Sequence, residues 1–300
     1  MDSVSRLPAV AQEPSASLGY EERLDRLTQA CVDDVISAFG LGGVRRGRTL
    51  FESISRIPAR RLARQVLTYD RIVGESGLGT GGAWALKRLS RNSVIEGQDN
   101  VPREGPLLLV SNHPGLADAV ALFTAAPRDD LRVIAAARPF LDALPNTSRH
   151  LLTVAETSGG RSGVARAAAR HLRQGGAVLT FPGGRIEPDP AVLPGAVEAL
   201  DDWSSSADLF ARLTPGLAVV PVVVSGVISP SALRSPLTRL RRHRRDREWL
   251  AATLQMLIPA LRDVNARVEF GRPVYADEGT SVGDAVIQET RRLMERREAV

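Results

Sequence analysis

The 300-residue chain has one cysteine, Cys31, and one lysine, Lys87. A lone cysteine can build neither an internal disulfide nor a cysteine metal site, which fits a reducing compartment. Aromatic residues make up only 4% of the chain, so stacking platforms for nucleic-acid bases are scarce. No window offers the roughly 18–20 uninterrupted apolar residues that a membrane-spanning helix needs. The first residues, "MDSVSRLPAVAQEP", lack a basic start followed by an apolar core and do not read as a secretory signal. These absences lead us to expect a cytoplasmic protein whose membrane contact, if any, is peripheral. The G-x-S-x-G turn is missing too. Ser76 in "GESGLG" does not match it, so a covalent serine mechanism has no evident nucleophile.

What remains is a globular composition, 43% hydrophobic and 24% charged, long enough for a sizeable core. The formal charge of +5 comes almost wholly from arginine, which suits anionic lipid, nucleic acid or phosphorylated small molecules alike. Residues 1–19, with Pro8, Pro14 and several Ser and Ala, read as a loose tail. Residues 20–39 place Leu24, Leu27, Cys31, Val32, Val35 and Phe39 at helical spacing, and Gly40 stops the run. Further helical stretches follow Pro58 and the glycines at 81 and 82, giving a helical section over 20–90. From 91 to 300, short apolar runs alternate with helical patterns. Seven of them read as strands: "SVIEG", "PLLLVSN", "LRVIAAA", "HLLTVA", "GAVLTFP", "LAVVPVVVSG" and "ARVEFG". Such alternation predicts an α/β domain, a mostly parallel central sheet covered by helices, with the helical section as an N-terminal extension.

The chemistry concentrates in "PLLLVSNHPGLAD" (106–118). The strand should end at the carboxyl edge of the sheet, where open α/β folds place ligands. His113 emerges there, Pro114-Gly115 turns the chain, and Asp118 falls in the first turn of a helix, able to fold back on the imidazole. A carboxylate on one ring nitrogen leaves the other free to accept a proton. The alternative is a histidine that merely ends the strand, with Asp118 favouring a helix N-terminus.

Other stretches also admit two readings. "GLGTGG" (77–82) satisfies G-x-G-x-x-G, but a helical segment precedes it where a dinucleotide site requires a strand. "SGGRSG" (158–163) is either an anion site made by helix-terminal amides and Arg161 or a serine-capped turn. "LTFPGGRIEPDP" (179–190) ends a buried strand in glycines that permit close ligand approach, then delivers Arg185 and Glu187; alone it could equally be a glycine turn with a surface arginine. The run "RLRRHRRDR" (239–247) is either a solvated helix face or a foot for anionic lipid headgroups, with nucleic acid disfavoured by the lack of interleaved aromatics.

Four blocks in order resemble the phospholipid/glycerol acyltransferase superfamily. They are "VIEGQDNVPREGPLLLVSNHPGLAD", "GGAVLTFPGG", "VVPVVVSG" and "VEFGRPV". The resemblance runs from about 92 to 275 and implies that His113 is the general base on an acceptor hydroxyl, oriented by Asp118. It implies direct transfer from acyl-CoA or acyl carrier protein to a glycerol-based lipid acceptor, with no metal, cofactor or acyl-enzyme. Asn112, Phe181, Pro182, Gly183, Gly184, Arg185, Glu187 and Arg161 are the substrate-binding residues it implies. The chain departs from the family at Gly183, where the block F-P-E-G-T-R carries glutamate, and at Arg185, whose arginine comes one position early. Those departures leave open the acceptor and two other outcomes on the same fold, a thioester hydrolase and a non-catalytic lipid- or acyl-CoA-binding protein.

Overall fold

The computed structural model describes residues 19–43, 48–115, 117–154, 160–276 and 281–298. The expected tail therefore lies outside the described residues except for Gly19, which precedes the first helix. In chain order the helices are α1 (Tyr20–Phe39), α2 (Arg48–Leu89), α3 (Asp118–Ala125), α4 (Pro139–Asp142), α5 (Pro145–Ser148), α6 (Gly160–Arg173), α7 (Ser206–Leu213), α8 (Pro230–Arg234), α9 (Arg244–Leu257) and α10 (Val282–Glu298). The strands are β1 (Asn92–Glu96), β2 (Leu107–Ser111), β3 (Arg132–Ala136), β4 (Leu151–Val154), β5 (Ala177–Thr180), β6 (Ala218–Ser225) and β7 (Asn265–Phe270). All seven strand-like runs of the sequence are strands.

They form one sheet in the order β1-β7-β6-β2-β5-β3-β4. The strands β6, β2, β5, β3 and β4 are parallel, β7 runs antiparallel to β6, and β1 pairs parallel with β7. The sheet is mostly parallel, as expected. Its central strand β2 is buried at every position, which explains a continuous apolar run rather than an alternating one. Leu107 and Leu109 face a layer containing Tyr69, Val73 and Leu86 of α2 and Leu122 of α3. Leu108 and Val110 face Leu172 of α6, Phe210 of α7 and Val286 of α10. The second half of α2 thus shares the core of the sheet, while its first half packs on α1 through Leu24, Leu27, Ala63 and Leu67.

The helical stretches expected after Pro58 and after Gly82 join into the single run α2, broken only by Gly77 at φ 85° and ψ 168°. That conformation is open essentially to glycine alone. A Cβ on Gly82 would stand 2.9 Å from the Val120 carbonyl oxygen of α3. The glycines of 77–82 therefore bend one helix and let another approach; they form no phosphate loop.

Candidate active site

Three parallel strands, β2, β5 and β6, end side by side, and the residues just beyond them build the site. At the end of β2, Asn112 is 1% exposed. Its Nδ2 donates to the Val224 carbonyl at 2.9 Å and its Oδ1 accepts from the Val224 amide at 2.8 Å. Both ends of this amide are thus consumed by β6. Asn112 fixes where His113 leaves the sheet and does not fit the substrate contact expected of it.

His113 follows. Its Nδ1 lies 2.6 Å from Oδ2 of Asp118, a carboxylate with no solvent exposure, while the imidazole side chain keeps 29% of its surface exposed. The same Oδ2 accepts from the Gly115 amide at 3.1 Å, and Oδ1 accepts from the Ala119 amide at 2.5 Å. Asp118 is therefore pinned before it meets the ring. A carboxylate on Nδ1 makes that nitrogen the protonated one in neutral imidazole, so Nε2 carries the lone pair. Among the described residues Nε2 has no hydrogen-bond partner. Burial alone would lower the pKa of His113, but the charge and hydrogen bond of Asp118, joined by the charge of Glu187, outweigh it and the pKa is raised.

The loop after β5 closes over the ring. Phe181 packs against the imidazole with centroids 4.6 Å apart and planes tilted by 32°. Pro182 is buried, and its carbonyl accepts from the Ser204 amide at 3.2 Å. Gly184 turns the chain at φ 62°, and its amide donates to the Phe181 carbonyl at 3.0 Å; a side chain is disfavoured in that left-handed conformation. Arg185 is exposed and pairs with Asp202. Glu187 is 5% exposed, and its oxygens accept from the His113 amide at 2.8 Å and the Trp203 indole at 2.6 Å. Phe181 and Glu187 are thus brought to His113, but the Glu187 carboxylate binds protein donors and not the substrate assigned to it. Arg161 is the second residue of α6, and its side chain lies outside the described residues, as do 155–159, which include Ser158 and Gly159 of the proposed anion turn.

Two residues hold the site in ways that spacing alone does not reveal. Trp203 is the first, through its indole. Asp189, fully buried, is the second. It accepts from the amides of Ala191, Gly226, Val227 and Ile228 at 2.7–3.0 Å, tying the loop after β5 to the end of β6. Its setting between Pro188 and Pro190 is the one sequence signal, since the two prolines restrict the backbone that presents it.

A carboxylate-held imidazole at the carboxyl edge of an α/β sheet is an arrangement that can take a proton from a bound group. Residues 92–225 match the family model described as Acyltransferase. His113 and Asp118 lie inside the matched segment. The crystal structure of the 1-acyl-sn-glycerophosphate (LPA) acyltransferase PlsC from Thermotoga maritima is similar at 18% identity and a TM-score of 0.42, covering 94% of this chain and 100% of that one. No curated protein matches the chain by sequence.

Proposed function

We propose that the protein transfers a fatty acyl group from acyl-CoA or acyl carrier protein to a hydroxyl of a glycerol-based lipid at a membrane surface. The observation that carries this reading is the 2.6 Å contact between His113 Nδ1 and Asp118, with the opposite nitrogen unpartnered among the described residues. In the reaction the acceptor oxygen attacks the thioester carbonyl carbon as Nε2 takes the hydroxyl proton. The C–S bond then breaks, and the imidazolium returns that proton to the departing thiolate. Products are an ester and a free thiol. Asp118 stabilises the imidazolium in between, and a positioned base of this kind contributes about 10²–10⁴ in rate.

The arginine run supports a membrane partner. Arg239, Arg241, Arg242, Arg244, Arg245 and Arg247 face only Asp246 and Glu248 nearby, a local balance of +4 against +5 for the whole chain. Three of the arginines open α9, at the helix end where positive charge is disfavoured by roughly 0.3–1 kcal/mol each at exposed sites. Helix stability does not explain them. Arg239, Arg242 and Arg245 are exposed and make no ion pair among the described residues, and exposed Leu240 and Trp249 stand among them. The α2 side chains Leu50, Ile54 and Ile57 are also exposed, and Phe51 beside them and Arg241 of the run both meet the end of α1. Phe39 stacks edge-on with Phe51, and Gly40 abuts Arg241. Arg244 donates to the Pro194 carbonyl at 2.8 Å, which joins the run to the loop that carries Glu187. No helix among the described residues is long and apolar enough to cross a membrane.

The acceptor is better sought among lipids without a phosphate monoester, because Arg185, the arginine of this loop, is engaged by Asp202. The experiment is to offer labelled acyl-CoA and acyl carrier protein with lysophosphatidate, glycerol phosphate and monoacylglycerol in competition. An acylated product that disappears in His113→Ala supports the reading. Free fatty acid with every acceptor would make the protein a hydrolase, and donor binding without turnover would make it a binder.

A further inference from the structure

Glu187 contacts His113 twice, and both contacts are to the main chain. The His113 amide donates to Glu187 Oε2 at 2.8 Å, while the Glu187 amide donates to the His113 carbonyl at 2.8 Å. This reciprocal pair fixes the peptide groups on both sides of the His113 α-carbon, so the ring can turn only about its own side-chain bonds. The remaining oxygen, Oε1, accepts from Trp203 Nε1 at 2.6 Å. That second anchor stops the carboxylate from swinging away. Each oxygen therefore serves a buried N–H donor, and neither is left for a substrate.

The space Glu187 fills belongs sterically to another residue. A Cβ built on Gly183 would stand 2.4 Å from Glu187 Oε1 and 3.0 Å from its carboxyl carbon. Gly183 has no positive φ, so its backbone would accept a side chain; the occupied space is what excludes one. In this chain the two positions compete for one carboxylate-sized volume beneath the His113 loop.

We propose that Glu187 is a positioning residue for His113, and that its carboxylate occupies a single site that position 183 could otherwise supply. The inference rests on His113 being the base, as proposed above. The charged groups that bear on the imidazole are Asp118 from α3 and Glu187 from the loop after β5, with Arg185 acting on Glu187. Loss of the Glu187 charge should accordingly let the His113 pKa fall. Glutamine is an informative replacement because it keeps the shape and loses one acceptor. Its –NH₂ must face either the His113 amide or the Trp203 indole, both donors, so Glu187→Gln cannot restore the arrangement.

The test compares the parent with Glu187→Gln, Glu187→Ala, and Glu187→Ala combined with Gly183→Asp or Gly183→Glu. The readouts are kcat and KM for a long-chain acyl-CoA, and the titration of the His113 ring followed by nitrogen-15 NMR. Both single variants should lose about 10- to 100-fold in kcat with KM little changed, as expected of a misplaced catalytic group. Their His113 midpoints should move to lower pH. At least one double variant should recover most of the rate and the midpoint. An unmoved midpoint in Glu187→Gln would overturn the positioning role even if the rate or the melting temperature fell, because a merely structural carboxylate would behave that way. Folded double variants with no recovery would overturn the shared site. If the parent itself turned nothing over, the NMR titration would still decide on Glu187 while the functional reading failed separately.

Discussion

Asp118→Asn removes one charge and almost no volume, so its consequences can be worked out from the contacts. Oδ2 serves His113 Nδ1 and the Gly115 amide, and Oδ1 serves the Ala119 amide. Asparagine has one acceptor oxygen. If its –NH₂ takes the Oδ2 position, it donates to Nδ1, drives the ring proton to Nε2 and opposes the Gly115 N–H. If it takes the Oδ1 position, it opposes the Ala119 N–H, leaving a buried donor unmet at about 1–3 kcal/mol. The first arrangement abolishes base function, and the second keeps the tautomer without the charge that stabilises imidazolium. We expect kcat to fall by about 10²–10⁴, with KM for the acyl donor nearly unchanged.

The pH profile supplies a second readout whose sign is fixed. His113 accepts a proton only when neutral, so kcat/KM rises with pH through its pKa. Asp118 is the main influence raising that pKa, against the burial that lowers it. Its neutralisation must therefore move the rising limb to lower pH. The assay is kcat/KM from pH 5 to 9 for parent and variant. A variant with the parental rate, or one whose limb moved to higher pH, would refute the assignment of base and orienting residue.

Other perturbations separate chemistry from scaffold. His113→Ala should abolish transfer while leaving the thermal unfolding midpoint nearly unchanged; normal turnover would end the mechanism outright. Gly183→Ala should lower kcat, because its Cβ would stand 2.4 Å from Glu187 Oε1, and a fully active variant would show that Glu187 can move freely. Replacing Arg239, Arg242 and Arg245 by serine should weaken binding to anionic vesicles by about 10²-fold at roughly 1 kcal/mol each, with a shallower salt dependence; equal binding across a salt series would make the run an ordinary solvated face. Asp189→Asn leaves two of the four bound amides facing a donor and should destabilise the fold by roughly 2–6 kcal/mol in denaturant titrations.

The centre of the sheet was readable because β2, β5 and β6 are short, continuous apolar runs buried at every position. His113 and Asp118 were equally legible. A five-residue separation across a Pro-Gly turn reflects local geometry, and local geometry is what a sequence encodes most directly. Asn112 was harder, since nothing in "SNH" says that its partner is the backbone of Val224, 112 residues away. Asp189 and Trp203 failed to stand out for the same reason. Asp189 meets four backbone amides, three of them 37–39 residues away, and backbone donors carry no residue type for spacing to detect; Trp203 meets the Glu187 carboxylate 16 residues away. The glycines of 77–82 matched a motif whose required strand the sequence already lacked, and in the fold they serve a kink and close helix packing.

The substitution at Gly183 shows where position-by-position reading stops. Along the chain it is a loss, because the resembling family carries a carboxylate there and this chain carries a hydrogen atom. In space there is no loss. The chain leaves β5, turns at Gly184 and returns Glu187 to within hydrogen-bond distance of the His113 amide, and the absent Cβ at 183 makes room for it. What the His113 loop requires is an anion accepting from two donors at a fixed place, and physics is indifferent to which residue delivers it. The same reasoning bears on the acceptor. A carboxylate turned inward to the His113 amide and an arginine turned outward to Asp202 leave this loop without a charged group committed to a phosphate.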